Sequence, residues 1–131
     1  MNINNLFDLS GKVAFVSGGA TGIGRMATEA MAMAGAKVFI ASRKGSACLS
    51  VAKEINKKGY TGKVDSFEGD LSTEIGVNSV ADKIKNRTEV LHILMNNAGR
   101  SWGAPLGSFP YSAWEKVMCL NVAGVFSLTQ L

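Results

Sequence analysis

The sequence predicts an α/β fold, a doubly wound parallel sheet covered by helices on both faces, and three observations predict it. Short, almost wholly apolar runs recur along the chain, the pattern of strands buried on both faces. Between them lie segments whose apolar residues return with the helical period. Glycines stand where both kinds of segment should end. Strands alternating with helices at this spacing mean βαβ units, parallel strands and right-handed crossovers.

Lys12 to Ser17, "KVAFVS", is the first strand. After a glycine-rich turn, Ile23, Met26, Ala27, Ala30, Met31 and Ala34 fall on one stripe of a helix, and Gly35 follows where a C′ glycine belongs. "KVFIA", Lys37 to Ala41, is the second strand, and Cys48, Val51, Ala52 and Ile55 give the next helical stripe before the breaker Gly59. "KVDSF", Lys63 to Phe67, is a weaker third strand, followed by a helix on Val77, Val80, Ala81 and Ile84. Val90 to Met95, "VLHILM", is the fourth strand. Beyond "NNAG" (Asn96 to Gly99) comes a Gly/Pro/Ser-rich loop from Arg100 to Pro110, then Trp114, Val117 and Met118 open a helix whose apolar run reaches Leu131 without a Gly, Pro or Asn to end it.

Composition narrows the function classes. The 131 residues amount to one domain, large enough to bury a real core, and they are 47% apolar and 18% charged, an ordinary globular mixture. No apolar run is long enough to span a bilayer, and "MNINNLFDLSGK" has neither a basic leader nor a cleavage pattern, which sets a cytoplasmic expectation. Cys48 and Cys119 lie far apart, with no second Cys or His at metal-ligand spacing, so both read as reduced packing residues and no metal is expected. The net charge of +4 comes from lysines scattered on helix-like segments without interleaved aromatics, a solvated face and not a nucleic-acid stripe.

The turn behind the first strand carries the chemistry. "GIGRMA", Gly22 to Ala27, matches G-x-G-x-x-G/A between a strand and a helix, the context that gives this motif meaning. Glycine tolerates the tight turn, a second glycine lets the main chain approach a pyrophosphate, and the helix N-terminus supplies free N–H groups and partial positive charge. The competing reading is a glycine turn that only joins strand to helix. A second signal weighs against it. At the end of the second strand, about 20 residues on, a dinucleotide fold meets the adenosine ribose, with an acid for a free 2′-hydroxyl or an Arg for a 2′-phosphate. This chain has Ser42 and Arg43 there. Ser42 cannot make the acidic contact, whereas Arg43 can hold a phosphate with forked, charge-assisted hydrogen bonds, so the expected cofactor is NADP(H). An Arg merely exposed on a loop is the alternative.

Together these residues resemble a family. Ser17-Gly-Gly-Ala-Thr-Gly-Ile-Gly24 resembles the T-G-x-x-x-G-x-G loop of the short-chain dehydrogenase/reductases, with Ser for the usual Thr. "NNAG", "GDL" (Gly69 to Leu71) and "LNVAGVF" (Leu120 to Phe126) are similar to three further hallmarks of that family, in its order and at its spacing. The resemblance covers essentially the whole chain and implies a Rossmann-type doubly wound sheet, incomplete because only the N-terminal half is present. It implies that Gly18, Gly22 and Gly24 shape the pyrophosphate loop, that Ile23 offers its backbone N–H there, and that Asp70 and Leu71 face the adenine. The backbone of Asn97, Ala98 and Gly99 would run past the cofactor ribose. Alternatively, Asn96 and Asn97 tie strand ends together and Asp70 caps the helix beginning near Thr73.

Of the family's four catalytic side chains, Asn, Ser, Tyr and Lys, only the Asn has a match, Asn121. Tyr111 has Glu115 four residues on, Tyr60 has no suitable partner, and the single His, His92, has no candidate partner in its strand. Residues 1–131 are therefore expected to be a dinucleotide-binding domain that stops before the catalytic Ser and Tyr-x-x-x-Lys, inactive alone and prone to aggregate through Val90 to Met95. The sequence looks closest to bacterial 3-oxoacyl (acyl-carrier-protein) reductases of the fatty-acid and rhamnolipid-precursor kind. A keto or hydroxy substrate, such as an acyl thioester, and a homo-oligomeric full-length form follow from that likeness. A gluconate 5-dehydrogenase-like sugar-acid reductase shares much of the pattern, and a non-catalytic NADP(H)-binding module ending at Leu131 is the reading from another class.

Overall fold

The computed structural model describes residues 3–131. A single turn of helix, α1 (Ile3–Leu6), precedes the first strand. Four parallel strands follow, β1 (Val13–Ser17), β2 (Lys37–Ser42), β3 (Lys63–Glu68) and β4 (Ile93–Met95), in the order β3-β2-β1-β4. The helices α2 (Gly22–Met33), α3 (Gly45–Lys57) and α4 (Glu74–Lys85) make the crossovers. After β4 come α5 (Tyr111–Met118), a wider π-helical segment over Cys119–Gly124, and α6 (Val125–Gln130).

Two cores result from the alternation of side chains along each strand. Ala14, Val16, Val38 and Ile40 point to one face and pack with Cys48, Val51 and Ile55 of α3. Phe15, Phe39 and Ala41 point to the other and pack with Val77, Val80 and Ile84 of α4 and with Leu128 of α6. Phe39 stacks on Phe67 with ring centroids 5.4 Å apart, joining β2 to β3 in that second layer. Strands buried on both faces have no polar side to show, which is why they read as continuous apolar runs.

The expected stripes of α3 and α4 are the buried ones, and Gly35 and Gly59 follow α2 and α3 with φ of +97° and +74°. The stripe expected for α2 is buried only in part, with Met31 packing half-buried against the core. Ile23 and Met26 are 70% and 67% exposed, Ala30 is exposed too, and the residues that meet the sheet are Gly24, Thr28 and Ala32. Small volume, not hydropathy, decides that face. A methyl group added to Gly19 would come within 2.5 Å of Ile40 Cγ2 and 2.8 Å of Thr28 Oγ1, so the start of α2 lies close against β2. Thr28 is buried at no polar cost because its hydroxyl donates to the Gly24 carbonyl at 2.8 Å.

The fourth strand is shorter than expected. Val90 and Leu91 are exposed and His92 precedes the pairing, leaving Ile93–Met95 bonded to β1. His92 does have a partner: its Nδ1 accepts the N–H of Val13 at 3.1 Å. Among the described residues β4 pairs with β1 alone. Cys48 is buried as anticipated, whereas Cys119 is exposed and packs into no core.

Candidate nucleotide-binding site

The chain runs from β1 outward through β2 to β3, then crosses back to lay β4 on the other side of β1. Such a reversal opens a crevice at the carboxyl ends of the strands. A groove of about 400 Å³ lies there, and residues after all four strands line it.

The β1–α2 loop forms its floor. Gly18 and Gly22 have φ of +66° and +51°, a left-handed conformation that L side chains resist. Thr21, at the N-cap of α2, is extended and makes no side-chain capping bond. The first backbone bond of the helix runs from Arg25 N to Thr21 O, so the amides of Gly22, Ile23 and Gly24 have no intrahelical acceptor. Unpaired amides with the positive end of a twelve-residue helix behind them form an anion site. A Cβ at Gly24 would collide with the Gly18 carbonyl oxygen and the Asn97 side chain, so its bareness also lets the start of α2 pack against the end of β1.

Ser17 is 2% exposed and does not line the groove. Its hydroxyl accepts the N–H groups of Asn97 and Ala98, both at 2.9 Å, and donates to the Met95 carbonyl at 3.2 Å. Asn97 returns the tie, donating from Nδ2 to the carbonyls of Ser17 (2.9 Å) and Gly18 (3.3 Å). Asn96 donates to Thr129 Oγ1 at 3.0 Å. Asn97 thus ties the ends of β4 and β1 together, whereas Asn96 bonds α6 instead; Asn97, Ala98 and Gly99 stand in the groove wall.

At the β2 end, Ser42 and Arg43 both line the groove. The Ser42 hydroxyl accepts from Lys44 N at 3.2 Å and lies 3.1 Å from Cys48 Sγ, which holds the turn that presents Arg43. Arg43 is exposed and is absent from the ion pairs among the described residues, which join Arg25 to Glu54, Lys58 to Glu29 and Arg87 to Asp65. Its guanidinium is free for an anion from outside.

At the β3 end, Asp70 and Leu71 complete the wall. Asp70 is not the helix cap. Thr73 is, its hydroxyl accepting from Gly76 N at 3.1 Å, while Asp70 Oδ1 accepts from the hydroxyl (2.6 Å) and amide (3.0 Å) of Ser72. The Ser72 hydroxyl holds the Asp70 carboxyl below the usual carboxylate range against the opposing effect of burial, helped by the Ser72 amide and the charges of Arg43 and Arg100.

Asn121 lies in the π-helical segment, beside the groove and outside its lining. Its side chain clamps one residue, accepting from Arg100 N and donating to Arg100 O, both at 2.9 Å. Widened turns of this kind are frequent at functional sites because they redirect a side chain. Of the expected residues, Gly18, Ile23, Gly24, Ser42, Arg43, Asp70, Leu71, Asn97, Ala98 and Gly99 line one cavity, and Ser17, Gly22 and Asn121 do not. Thr21, Ala41, Gly69 and Leu120 line it without having been singled out, although Gly69 and Leu120 stand inside the quoted "GDL" and "LNVAGVF". Among the described residues no cluster of His, Cys, Asp and Glu could hold a metal, and no helix is long and apolar enough to cross a membrane.

The sequence profile of the family described as short chain dehydrogenase matches residues 12–131. The rhamnolipids biosynthesis 3-oxoacyl-[acyl-carrier-protein] reductase of Pseudomonas aeruginosa is 44% identical over 124 residues, 95% of this chain and 47% of that protein. The 3-oxoacyl-[acyl-carrier-protein] reductase FabG of Aquifex aeolicus is 36% identical over 122 residues, 93% of this chain and 49% of that one. Among solved structures, the Pseudomonas aeruginosa RhlG/NADP active-site complex superposes with a TM-score of 0.88 at 44% identity, covering 95% of this chain and 47% of that one. The chain spans about half the length of the curated relatives it matches.

Proposed function

The chain belongs to the short-chain dehydrogenase family, and from that premise we propose that it is the cofactor-binding half of an NADP(H)-dependent oxidoreductase that interconverts a carbonyl and a secondary alcohol, with 3-oxoacyl thioesters as substrates. The observation that carries the cofactor reading is the β2 end of the groove, where an arginine that joins no ion pair among the described residues stands beside a serine in the place an acid takes in NAD sites. The groove fits a dinucleotide phosphate on its own geometry: left-handed glycines, unpaired helix amides and a free guanidinium converge on it.

In this reading the amides of Gly22 to Gly24 hold the pyrophosphate and Arg43 holds the 2′-phosphate. Asp70 and Leu71 flank the adenine, and the Asn97–Gly99 backbone positions the nicotinamide ribose. The bound dinucleotide supplies or takes up the hydride. Proton transfer falls to acid–base groups of the whole polypeptide, because within residues 1–131 only Asn121 matches the family's catalytic set and neither Tyr60 nor Tyr111 lines the groove. Tyr60 is engaged instead, its hydroxyl donating to Glu29 at 2.8 Å. Asn121 acts in this reading by fixing the Arg100 loop next to the nicotinamide end. The likeness to two proteins named as 3-oxoacyl-[acyl-carrier-protein] reductases supports the substrate class.

The test is an assay of the full-length polypeptide with NADPH against a 3-oxoacyl thioester and a keto sugar acid. NADPH oxidation that depends on the thioester, and is slower with NADH, is the expected result, with residues 1–131 alone giving none. Faster turnover of the keto sugar acid would replace the substrate class. A full-length protein that oxidises NADPH with neither ketone would leave a binding module.

A further inference from the structure

An acid that the sequence reading did not place near the cofactor stands at the end of β3. Glu68 pairs in register with Ser42. Its side chain lies flat over the first residue of α3: a methyl group added to Gly45 would come within 2.6 Å of Glu68 Oε2 and 2.8 Å of its Cβ. A glycine at that position is what leaves room for the carboxylate. Glu68 and Arg43 line a second cavity of about 460 Å³ together with Gly69, Asp70 and Lys83. That cavity adjoins the nucleotide groove, since Arg43, Gly69 and Asp70 line both. The Lys83 ammonium is held by the backbone carbonyl of Glu68 at 2.8 Å, and the Glu68 carboxylate takes part in none of the ion pairs among the described residues.

We propose that Glu68 is a specificity-determining residue, setting how far the site prefers NADPH over NADH. The inference rests on the reading of the groove as a nicotinamide dinucleotide site. In that fold the acid that selects an unphosphorylated ribose comes from the end of the second strand. Here Ser42 takes that place, and Glu68, directly across the strand pairing, sets a carboxylate beside Arg43 in the adjoining cavity. A free 2′-hydroxyl can donate to it. A 2′-phosphate, with nearly two negative charges, is repelled by it. Arg43 and Glu68 therefore act in opposition on the same group, and the preference is weaker than Arg43 alone would confer.

The experiment measures dissociation constants for NADPH and NADH, by titration without turnover, on the full-length polypeptide and its Glu68→Gln variant at low and high salt, with melting temperatures alongside. Glu68→Gln should raise the NADPH-to-NADH affinity ratio about tenfold, a change worth about 1.4 kcal/mol, with most of the gain in NADPH binding. The gain should shrink at high salt, as a charge effect must and a packing effect need not. The glutamine keeps the shape of the side chain over Gly45, so the melting temperature should stay put. A wild-type protein that prefers NADPH, with a ratio the variant leaves unchanged, would overturn the role of Glu68 while the cofactor reading stands. A wild-type protein that binds neither dinucleotide would overturn the cofactor reading and this inference with it.

Discussion

The double substitution Ser42→Asp, Arg43→Ala is expected to reverse the cofactor preference. Arg43 lines the groove and takes part in none of the ion pairs among the described residues, although Glu68 and Asp70 line a cavity with it. In the proposed complex it makes hydrogen bonds to a charged group, worth about 1.5–3 kcal/mol, so its loss should weaken NADPH binding by about tenfold to a hundredfold. Asp at position 42 adds to this from the other side, since it can accept from a free 2′-hydroxyl and repels a phosphate. The fold should survive, because Arg43 is exposed and the Ser42 side chain bonds only within its own turn and to Cys48. Titrating the purified variant with both dinucleotides checks the result. A retained preference for NADPH would remove Arg43 from the 2′-phosphate site.

Replacing Gly24 by alanine is expected to damage both stability and binding, although alanine is the better helix former by about 1 kcal/mol. The new methyl group would run into the Gly18 carbonyl oxygen and the Asn97 Nδ2 that bonds it. One obstacle is backbone and the other is tied to backbone, so neither can yield cheaply. Overpacking of this kind costs about 1–3 kcal/mol, and relief requires α2 to move away from the loop whose amides form the anion site. The expected outcome is a lower midpoint of denaturation together with a many-fold weaker NADPH affinity. Gly103→Ala is the control: that position has open space around it and an ordinary φ, and the substitution should change neither quantity. If Gly24→Ala melts and binds like the wild type, the tight contact between α2 and the β1 loop is not needed.

The contrast between Gly22 and Gly24 shows where the sequence was legible and where it was not. That a glycine loop joins a buried strand to a helix follows from local pattern, and so do the βαβ order and the buried stripes of α3 and α4, because these depend on neighbours in sequence. The reason for Gly24 depends on Asn97, far along the chain and tied back through Ser17. Asn121 was placed by motif, but its partner Arg100 and the π-helical turn that carries it are long-range facts. Hydropathy ranks Met26 and Ile23 above Gly24, Thr28 and Ala32, whereas the close approach of the start of α2 to the sheet favours the small residues. Glu68 was invisible for a related reason. Its place beside Ser42 comes from strand register, and its conformation from the absent side chain of Gly45.

The most direct test of the nucleotide groove is hydrogen–deuterium exchange of the full-length polypeptide with and without saturating NADPH. The predicted result is slowed exchange in four separate stretches, around Gly18–Gly24, Ser42–Gly45, Gly69–Leu71 and Asn97–Gly99, with the α4 surface unchanged. NADPH binding that protects other segments and leaves the amides of Gly22 to Gly24 exchanging as before would contradict the account.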